Sequence, residues 1–275
     1  MESTENLIAS TIQSLNTDKF ASNLNRWLWA LVKHDNTTIL AYFQDQTPLL
    51  LMTDGITPDV HRHMKTVYLS GAYLLDPFYE VHRSQNAAGM YRIWDIAPDQ
   101  FVRNQYFIEY YRRTTMIDEI GFVVRLSAQM SIHVCLGRDV RSNQRFSKRD
   151  QATALKVFPI IEAFVCSHYT NLQFGSHPGD ESVTERMVRL VAQTYGIKLT
   201  GRQADVALLV LQGHSSNSIG LRLGVSPQTV KVFRKQLYKR CEVSSQAELF
   251  RLMLPILSSQ SEPLSLKKVY DQKVL

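Results

Sequence analysis

The sequence predicts an N-terminal α+β domain, in which helices flank an antiparallel sheet, followed by an all-α domain of four helices. Residues 1–172 mix amphipathic helical periodicity with short strand-like runs, whereas residues 199–256 show helical periodicity alone. Between them, the stretch FGSHPGDES at residues 174–182 interrupts the apolar periodicity. We therefore expect a linker and a connecting helix over residues 173–198, and a C-terminal tail over residues 257–275.

The composition is that of a soluble protein with two cores. A chain of 275 residues is long enough for two domains, and 44% hydrophobic with 20% charged residues excludes a disordered chain. No apolar run approaches the ~20 residues of a membrane span, and Glu2 and Glu5 stand where a signal peptide needs positive charge. Cys135, Cys166 and Cys241 form no CxxC pair, which favours reduced thiols and a cytoplasmic location.

The net charge of +6 is concentrated in the smaller domain. Residues 199–254 hold eight Lys or Arg against three Asp or Glu, whereas residues 1–198 hold twenty of each kind. A neutral large region joined to a small basic one indicates that only the small region contacts a polyanion.

The period of the apolar residues predicts the elements of the N-terminal domain. Helical periodicity predicts helices over residues 5–15, 18–32, 58–69, 98–112 and 148–169. Alternation predicts strands over residues 38–43, 49–53, 91–95, 120–127 and 131–137. The last two strands are close enough along the chain to form a hairpin.

Capping signals predict the helices that follow. Ser182 and Glu185 have the spacing of a capping box, and Gly196 ends that helix. Thr200 and Gln203 repeat the box before an apolar helix that runs to residue 211.

The next segment has the pattern of a helix-turn-helix. A short helix over residues 216–223 is followed by the stretch GVSP. Gly224 suits a left-handed turn, Ser226 suits a helix cap, and Pro227 suits the first helical position. Two helices separated by a three-residue turn that contains Gly form this motif.

The helix that begins at Ser226 has an apolar side and a basic side. Its apolar stripe, about 80° wide, contains Val230, Phe233, Leu237 and Cys241. The candidate DNA-binding residues are Gln228, Thr229, Lys231, Val232, Arg234, Lys235 and Lys239. A helix with a basic front suits the major groove of duplex DNA, although a basic face can also be merely solvated.

A set of positions across residues 199–254 carries a family resemblance. These positions are Leu199, Thr200, Arg202, Gly213, Ile219, Leu223, Val225, Ser226, Thr229, Val230, Lys231, Ser245 and Ala247. The segment resembles the C-terminal DNA-binding domain of LuxR-type transcription regulators. The resemblance implies that Lys231, Val232 and Lys235 lie in the major groove. Gln203, Phe233 and Cys241 depart from the acidic residue, His and Leu that are usual there.

The last helix of the domain has two apolar faces. Ala247, Phe250 and Leu254 share the face that can close the core of the domain. The opposite face contains Leu249, Leu252 and Met253. Similar regulators dimerise through this helix, which favours a homodimer, and the alternative is burial of this face against the N-terminal domain.

The N-terminal domain has an aromatic-rich segment. Residues 68–111 hold eleven of the 27 aromatic residues of the chain. Ligand pockets are often lined by aromatic side chains, although aromatics at helical spacing are often plain core. The candidate ligand-binding residues are Tyr68, Tyr73, Asp76, Tyr91 and Trp94.

The stretch LLDPFYE around Asp76 resembles the Asp-Pro pair of the autoinducer-binding domains of quorum-sensing LuxR-type receptors. The resemblance implies that Asp76 bonds a ligand amide, and the alternative is a helix cap with Pro77 at the first position. His63 and Val67 stand where those receptors have a Trp and a Tyr, so an acyl-homoserine lactone is not expected. The domain is similar to GAF and PAS domains, with a different ligand or none.

The sequence predicts no catalytic residue, metal or cofactor. The pairs His61 with His63 and His133 with Cys135 offer two ligands each, where a metal needs three or four. We expect a cytoplasmic, dimeric transcription regulator, not an enzyme, that binds double-stranded DNA and senses a small-molecule effector. RNA polymerase is a further candidate partner, and no membrane is. The alternative is a small-molecule-binding or enzymatic domain whose helical module is a protein interaction surface.

Overall fold

The N-terminal domain is built on one antiparallel sheet of five strands. The computed structural model describes residues 2–44, 46–170, 172 and 182–258. The strands are β1 (Asn36–Phe43), β2 (Leu49–Gly55), β3 (Gly89–Arg92), β4 (Met116–Arg125) and β5 (Met130–Asp139). They lie in the order β2-β1-β5-β4-β3, and every neighbouring pair is antiparallel.

Eleven α-helices surround and follow this sheet in the part of the chain that is described. In the N-terminal domain they are α1 (Thr4–Gln13), α2 (Phe20–Leu31), α3 (Pro77–Arg83), α4 (Ile93–Ile96), α5 (Gln105–Glu109) and α6 (Lys148–Tyr169). In the C-terminal part they are α7 (Val183–Tyr195), α8 (Gly201–Gln212), α9 (Ser216–Leu223), α10 (Pro227–Arg240) and α11 (Gln246–Ser258).

One face of the sheet is covered by α1, α2 and α6. Strand alternation turns residues such as Ile39, Phe122 and Val134 towards these helices, where all three are fully buried. Trp27 of α2 and Phe164 of α6 meet edge to face with their ring centroids 5.7 Å apart. This side forms a conventional apolar core.

The other face of the sheet is covered by residues 58–114 and then by the C-terminal helices. Tyr42 and Cys135 point to this side. They belong to one cluster of buried apolar side chains that continues through residues 58–114 into the cores of α7 to α11. The two domains therefore share a continuous interior.

The predicted α+β class and the separate helical domain are confirmed, and so are several elements. The predicted hairpin forms between β4 and β5, and α6 has the predicted bounds. The capping boxes at Ser182 and Thr200 both form. Of the predicted linker at residues 174–182, only Ser182 lies within the described residues, and the tail beyond residue 258 lies outside them. The domain boundaries stay a prediction.

The helices predicted over residues 58–69 and 98–112 are wrong, because both segments are broken into short turns. The first contains a 3₁₀ turn at Pro58–Val60 and a π-helical turn at Met64–Tyr68. The second is interrupted at Asn104, whose side chain accepts a hydrogen bond from a backbone N–H three residues later. Because a capping residue has extended backbone, it separates two short helices where the apolar pattern suggests one.

The strand predicted over residues 91–95 is wrong in its second half. β3 ends at Arg92, and the chain turns there into the short helix α4. Ile93 is fully buried at the start of that helix. A buried apolar residue after a strand fits either a longer strand or a new helix, which is why alternation misled the prediction.

Gly121 on β4 leaves room for the ring of Phe78, and its replacement tests this packing. A Cβ at this position would lie 2.8 Å from Cζ of Phe78 and closer still to Cε1. We expect Gly121→Ala to lower the free energy of unfolding by about 1–3 kcal/mol, as overpacking of a core does. Gly89→Ala on β3 is the matched control, since its Cβ would make only an ordinary contact at 3.7 Å. Equal urea unfolding midpoints for the two variants would contradict the packing.

Candidate nucleic-acid interface and sensor cavity

α10 begins at a tight turn after α9. Gly224 has a left-handed backbone with φ 65°, which a residue without Cβ adopts at no steric cost. The Ser226 hydroxyl accepts a hydrogen bond from the Thr229 amide at 3.0 Å, and Pro227 occupies the first helical position. This turn sets α10 across α8 and α9, which is the predicted helix-turn-helix.

α10 has a buried side and an exposed basic side, in agreement with the predicted faces. Val230 and Leu237 are fully buried, and Phe233 packs against the same cluster. The exposed residues are Gln228, Lys231, Val232, Lys235 and Lys239. Cationic and amide groups around one apolar side chain can engage phosphates, base edges and a thymine methyl.

Two of the predicted DNA-binding residues are partly engaged within the helix. Thr229 shares a hydrogen bond of 2.8 Å with the Ser226 hydroxyl. The Arg234 guanidinium lies 5.9 Å from the centroid of the Tyr238 ring and donates to its hydroxyl at 3.4 Å. Arg234 has four further N–H donors that remain available for a phosphate.

Arg240 joins the end of α10 to the start of α8. It donates to the Lys198 carbonyl at 2.8 Å and to Oε1 of Gln203 at 3.0 Å. Gln203 is the position where an acidic residue is usual, so a neutral acceptor here replaces an ion pair. The contact survives this departure.

The dimer face of Leu249, Leu252 and Met253 stays a prediction, but the structure covers these side chains within one chain. Leu249 and Met253 are fully buried within the single chain, and Leu252 is partly buried. α11 packs against α7 and α8 on one side, and against α5 and the 3₁₀ turn Ala72–Leu75 on the other. Elements of both domains therefore surround α11, in keeping with the alternative that the sequence leaves open for this helix.

The N-terminal domain contains a small cavity beneath the second face of the sheet. Its volume is about 50 Å³. It is lined by Thr38, Leu40, Tyr42, Val60, His61, Met64, Tyr68, Asp76, Phe78, Tyr106, Tyr110, Tyr111, Thr114, Met116, Glu119 and Cys135. Pockets that enclose a drug-sized ligand are several times larger, so aromatic side chains fill most of this space.

Of the five predicted ligand-binding residues, the cavity includes Tyr68 and Asp76. The other three lie outside this cavity, and their role in ligand binding stays a prediction. Tyr73 packs edge to face on Tyr79, with ring centroids 5.1 Å apart. Tyr91 donates its hydroxyl to the Ala87 carbonyl at 2.7 Å. Trp94 lies below the guanidinium of Arg145, 4.7 Å from the ring centroid.

Asp76 combines both of the roles that the sequence leaves open. Its Oδ1 accepts from the Phe78 amide at 2.8 Å, which caps α3. Its Oδ2 accepts from the Tyr68 hydroxyl at 2.7 Å, and the Tyr106 hydroxyl is a further donor. Because Tyr68 donates its only proton to Asp76, Tyr42 must donate to Tyr68. Burial raises the pKa of Asp76, and these donors oppose that effect.

Glu119 is a second carboxylate in the cavity, and it is not among the residues predicted from the sequence. It lies at the start of β4, one residue before the strand predicted from residue 120. Alternation places Glu119, Gly121 and Val123 on one face, opposite the apolar residues Ile120 and Phe122. A carboxylate within an apolar alternating run is the signal that could have identified it.

A buried polar chain crosses the same face of the sheet. Nδ1 of His82 and Nε2 of His133 lie 2.7 Å and 2.9 Å from the Ser131 hydroxyl. One hydroxyl proton serves one imidazole, so Ser131 donates to one ring and accepts from the other. Burial, with a smaller effect of the positive Arg125, lowers the pKa of His82 to about 4. Burial also lowers the pKa of His133 well below its ordinary value.

The turn between α8 and α9 is held by the N-terminal domain. The Asn104 amide donates to the Gln212 carbonyl at 2.6 Å, and Gln212 Nε2 donates to the Leu74 carbonyl at 3.1 Å. The Ser215 amide donates to Oδ1 of Asp99 at 2.9 Å. These bonds connect the helix-turn-helix directly to the segments that carry Asp76 and Tyr106.

The structure adds two observations on other predicted sites. The described residues contain no group of three or more His, Cys, Asp or Glu that could hold a metal ion. Neither His61 with His63 nor His133 with Cys135 therefore has a third ligand among these residues. None of the described helices is long and apolar enough to cross a membrane.

The chain is similar to one protein family in its C-terminal domain and to one known protein over a longer stretch. The profile of the family "Bacterial regulatory proteins, luxR family" matches residues 198–253. A protein of Aeromonas salmonicida, named as an HTH-type transcriptional regulator in the exeN 3′ region, is 28% identical over 186 residues, which are 65% of this chain and 93% of that protein.

Two solved structures are also similar. The VqsR LBD domain from Pseudomonas aeruginosa has 24% identity and a TM-score of 0.52, and the match covers 60% of this chain and 96% of that one. Escherichia coli SdiA has 12% identity and a TM-score of 0.37 over 93% of both chains. The N-terminal domain thus has the fold of the VqsR domain.

The low pKa of His82 predicts a stability that falls in mild acid. The unfolded chain has the ordinary His pKa of 6.5, so protons bind it preferentially as the pH falls from 6.5 to about 4. The contribution of neutral His82 to the free energy of unfolding is fully present above pH 6.5, and about 3 kcal/mol of it is lost by pH 4. We expect His82→Gln to reduce this loss, as measured by urea unfolding at pH 7.5 and pH 4. The same loss in both proteins would contradict the assignment.

Proposed function

We propose that this chain, a LuxR-type transcription regulator with a DNA-binding domain at residues 198–253, reads duplex DNA with α10 under the control of a small molecule held in its N-terminal domain. The observation that carries the proposal is the exposed basic face of α10 opposite its buried apolar side. A helix of this kind, presented by a helix-turn-helix, fits the major groove.

The charges of α10 divide into contacts of two kinds. Gln228 lies in the first turn, where base contacts of recognition helices concentrate. Lys231 and Lys235 are one turn apart on the exposed face, within reach of base edges or phosphates. Lys239 lies near the C-terminal end, where a cation contributes to affinity through phosphates rather than to sequence selectivity.

The alternative function, a helical module used only as a protein interaction surface, differs in its response to salt. Neutralising phosphates releases counterions, so DNA affinity falls steeply as salt rises. Sequence-selective duplex binding with this dependence belongs to the DNA-binding function alone. The match of residues 198–253 to a family of regulatory proteins supports that function over the alternative.

The proposed control passes through two short segments. Leu74, which holds Gln212, is two residues before Asp76 in the cavity. Asn104, which also holds Gln212, is two residues before Tyr106, a donor to Asp76. A ligand that moves Asp76 or Tyr106 therefore acts on the turn between α8 and α9, because each of these residues follows by two positions a residue that bonds Gln212.

Pairing of two chains on DNA and contact with RNA polymerase remain predictions. Helix-turn-helix dimers bind half-sites about one helical turn apart, which is the physical reason to expect a homodimer. Because Leu249 and Met253 are buried, such a dimer has to use a different face, or the two domains have to separate first.

Lys235→Ala tests the assignment of α10. We expect a loss of about 1–3 kcal/mol in operator binding if Lys235 contacts a base, and a weaker salt dependence if it contacts a phosphate. Val232→Glu should weaken binding further, because it brings an anion towards the phosphates. Lys156→Ala on α6 removes an equally exposed charge far from α10 and should leave the affinity unchanged. Unchanged binding by both folded α10 variants, measured by fluorescence anisotropy, would refute the assignment.

Asn104→Asp tests the hold on the turn between α8 and α9. Asp caps α5 as well as Asn does, but it replaces the donor to the Gln212 carbonyl with an oxygen. The lost bond costs about 1–3 kcal/mol, so amide hydrogen exchange at Ser215 should accelerate by about 5- to 150-fold.

The matched control for this change is Asn23→Asp. Asn23 also donates its amide to a backbone carbonyl, that of Ser10, but within the N-terminal domain. Exchange at Ser215 should be the same in this variant as in the unchanged protein. If exchange at Ser215 is also unchanged in Asn104→Asp, the bond from Asn104 to Gln212 does not hold the turn between α8 and α9 on the N-terminal domain.

A further inference from the structure

The sensor cavity contains two carboxylates and no compensating cation. Asp76 and Glu119 both line it, and among the described residues no Lys or Arg does. The other titratable groups that face the cavity are His61, Tyr42, Tyr68, Tyr106, Tyr110, Tyr111 and Cys135. Burial raises the pKa of Glu119 well above its ordinary value, and the neighbouring Asp76 adds to the effect.

The two carboxylates differ in how well they are hydrogen-bonded. Asp76 accepts from two tyrosine hydroxyls and one backbone amide. Glu119 has the thiol of Cys135 as its side-chain donor, and a thiol is a weak one. A carboxylate has about four acceptor positions, so most of those on Glu119 are open to another donor.

Tyr111 supplies an independent sign of a ligand. Its side chain lines the cavity and is 4% exposed, and its hydroxyl is buried without a hydrogen-bond partner. A buried polar atom left unpaired costs free energy, so such an atom beside a cavity marks a place where a partner binds. A tyrosine hydroxyl can accept a hydrogen bond as well as donate one.

We propose that the cavity receives the positively charged ammonium group of a small organic amine, which donates to Glu119 and to the Tyr111 hydroxyl beside Asp76. The inference deepens the proposed function, since it names the class of the effector. An ammonium group favours the charged form of Glu119 and compensates Asp76 beside it, whereas a neutral amide or alcohol supplies hydrogen bonds without any opposing charge. Aromatic faces around the site attract a cation as well.

The size of the cavity limits which part of the ligand it encloses. A volume of about 50 Å³ holds an ammonium head group and little else. Thr38, His61, Met116 and Glu119 are partly exposed lining residues, so the cavity is open on their side. The apolar part of the amine therefore extends out of the cavity on this side.

Three probes that differ in their head group test the proposal. n-Butylammonium, 1-butanol and butyrate have the same length and carry a positive, a neutral and a negative group. We expect n-butylammonium alone to bind the full chain in calorimetric titrations and to raise its Tm. Equal binding of 1-butanol or butyrate, or no binding of the ammonium to folded protein, overturns the proposal. DNA binding that still depends on Lys235 would leave the proposed function standing in either case.

Glu119→Gln tests the acceptor and keeps the shape of the side chain. We expect the Kd for n-butylammonium to rise at least about tenfold, whereas Glu5→Gln, an exposed control on α1, should leave it unchanged. Tyr111→Phe removes only the unpaired hydroxyl, so it should fold normally and weaken binding by a smaller factor. Unchanged Kd in both cavity variants overturns the proposal. Equal binding of octanoyl-homoserine lactone to the unchanged protein and to Glu119→Gln also overturns the proposal, because this ligand carries no ammonium group.

Discussion

The carboxylate of Asp76 is the interaction on which the rest of the second face depends. It caps α3, fixes the hydroxyls of Tyr68 and Tyr106, and through Tyr68 orients Tyr42 on strand β1. Residues 58–114 form only short helices, turns and one four-residue strand, so side-chain bonds of this kind help to hold them against the sheet. Removal of this carboxylate would take the acceptor away from two buried tyrosine hydroxyls at once, which costs more than the loss of one helix cap.

The covering of the second face also explains why the C-terminal helices dock where they do. The cluster of buried apolar residues continues from Tyr42 through α5 into α11 without a break. α11 completes the core of its own domain and at the same time covers residues 72–75. The interface is therefore more apolar at its centre than a hinge between independent domains, while the bonds of Gln212 and Ser215 determine its register.

The sequence predicts what is local and misses what depends on distant partners. The capping boxes at Ser182 and Thr200 and the faces of α10 need only neighbours in the chain, and they were predicted correctly. Asn104 breaks an apparent helix by capping α5, and its second partner, Gln212, lies 108 positions away and is not evident from the sequence. The apolar pattern of α11 shows that Leu249 is covered but not by which surface. Glu119 is not evident as a site residue because only the packing of the segment before α3 on the sheet brings it into the same cavity as Asp76.

A ligand that moved Asp76 or Tyr106 would act on the two segments that also hold the helix-turn-helix, so the free energies of ligand binding and docking would be coupled. Asp76 belongs to the segment that holds Gln212 through Leu74, and Tyr106 belongs to the segment that holds it through Asn104. Coupling of this kind is reciprocal: if an effector changes the affinity for DNA by some factor, DNA changes the affinity for the effector by the same factor. The exposed face of α10 is not covered in the docked arrangement. An effector that acts on this docking would therefore change the position of α10 relative to the N-terminal domain rather than the access to its side chains.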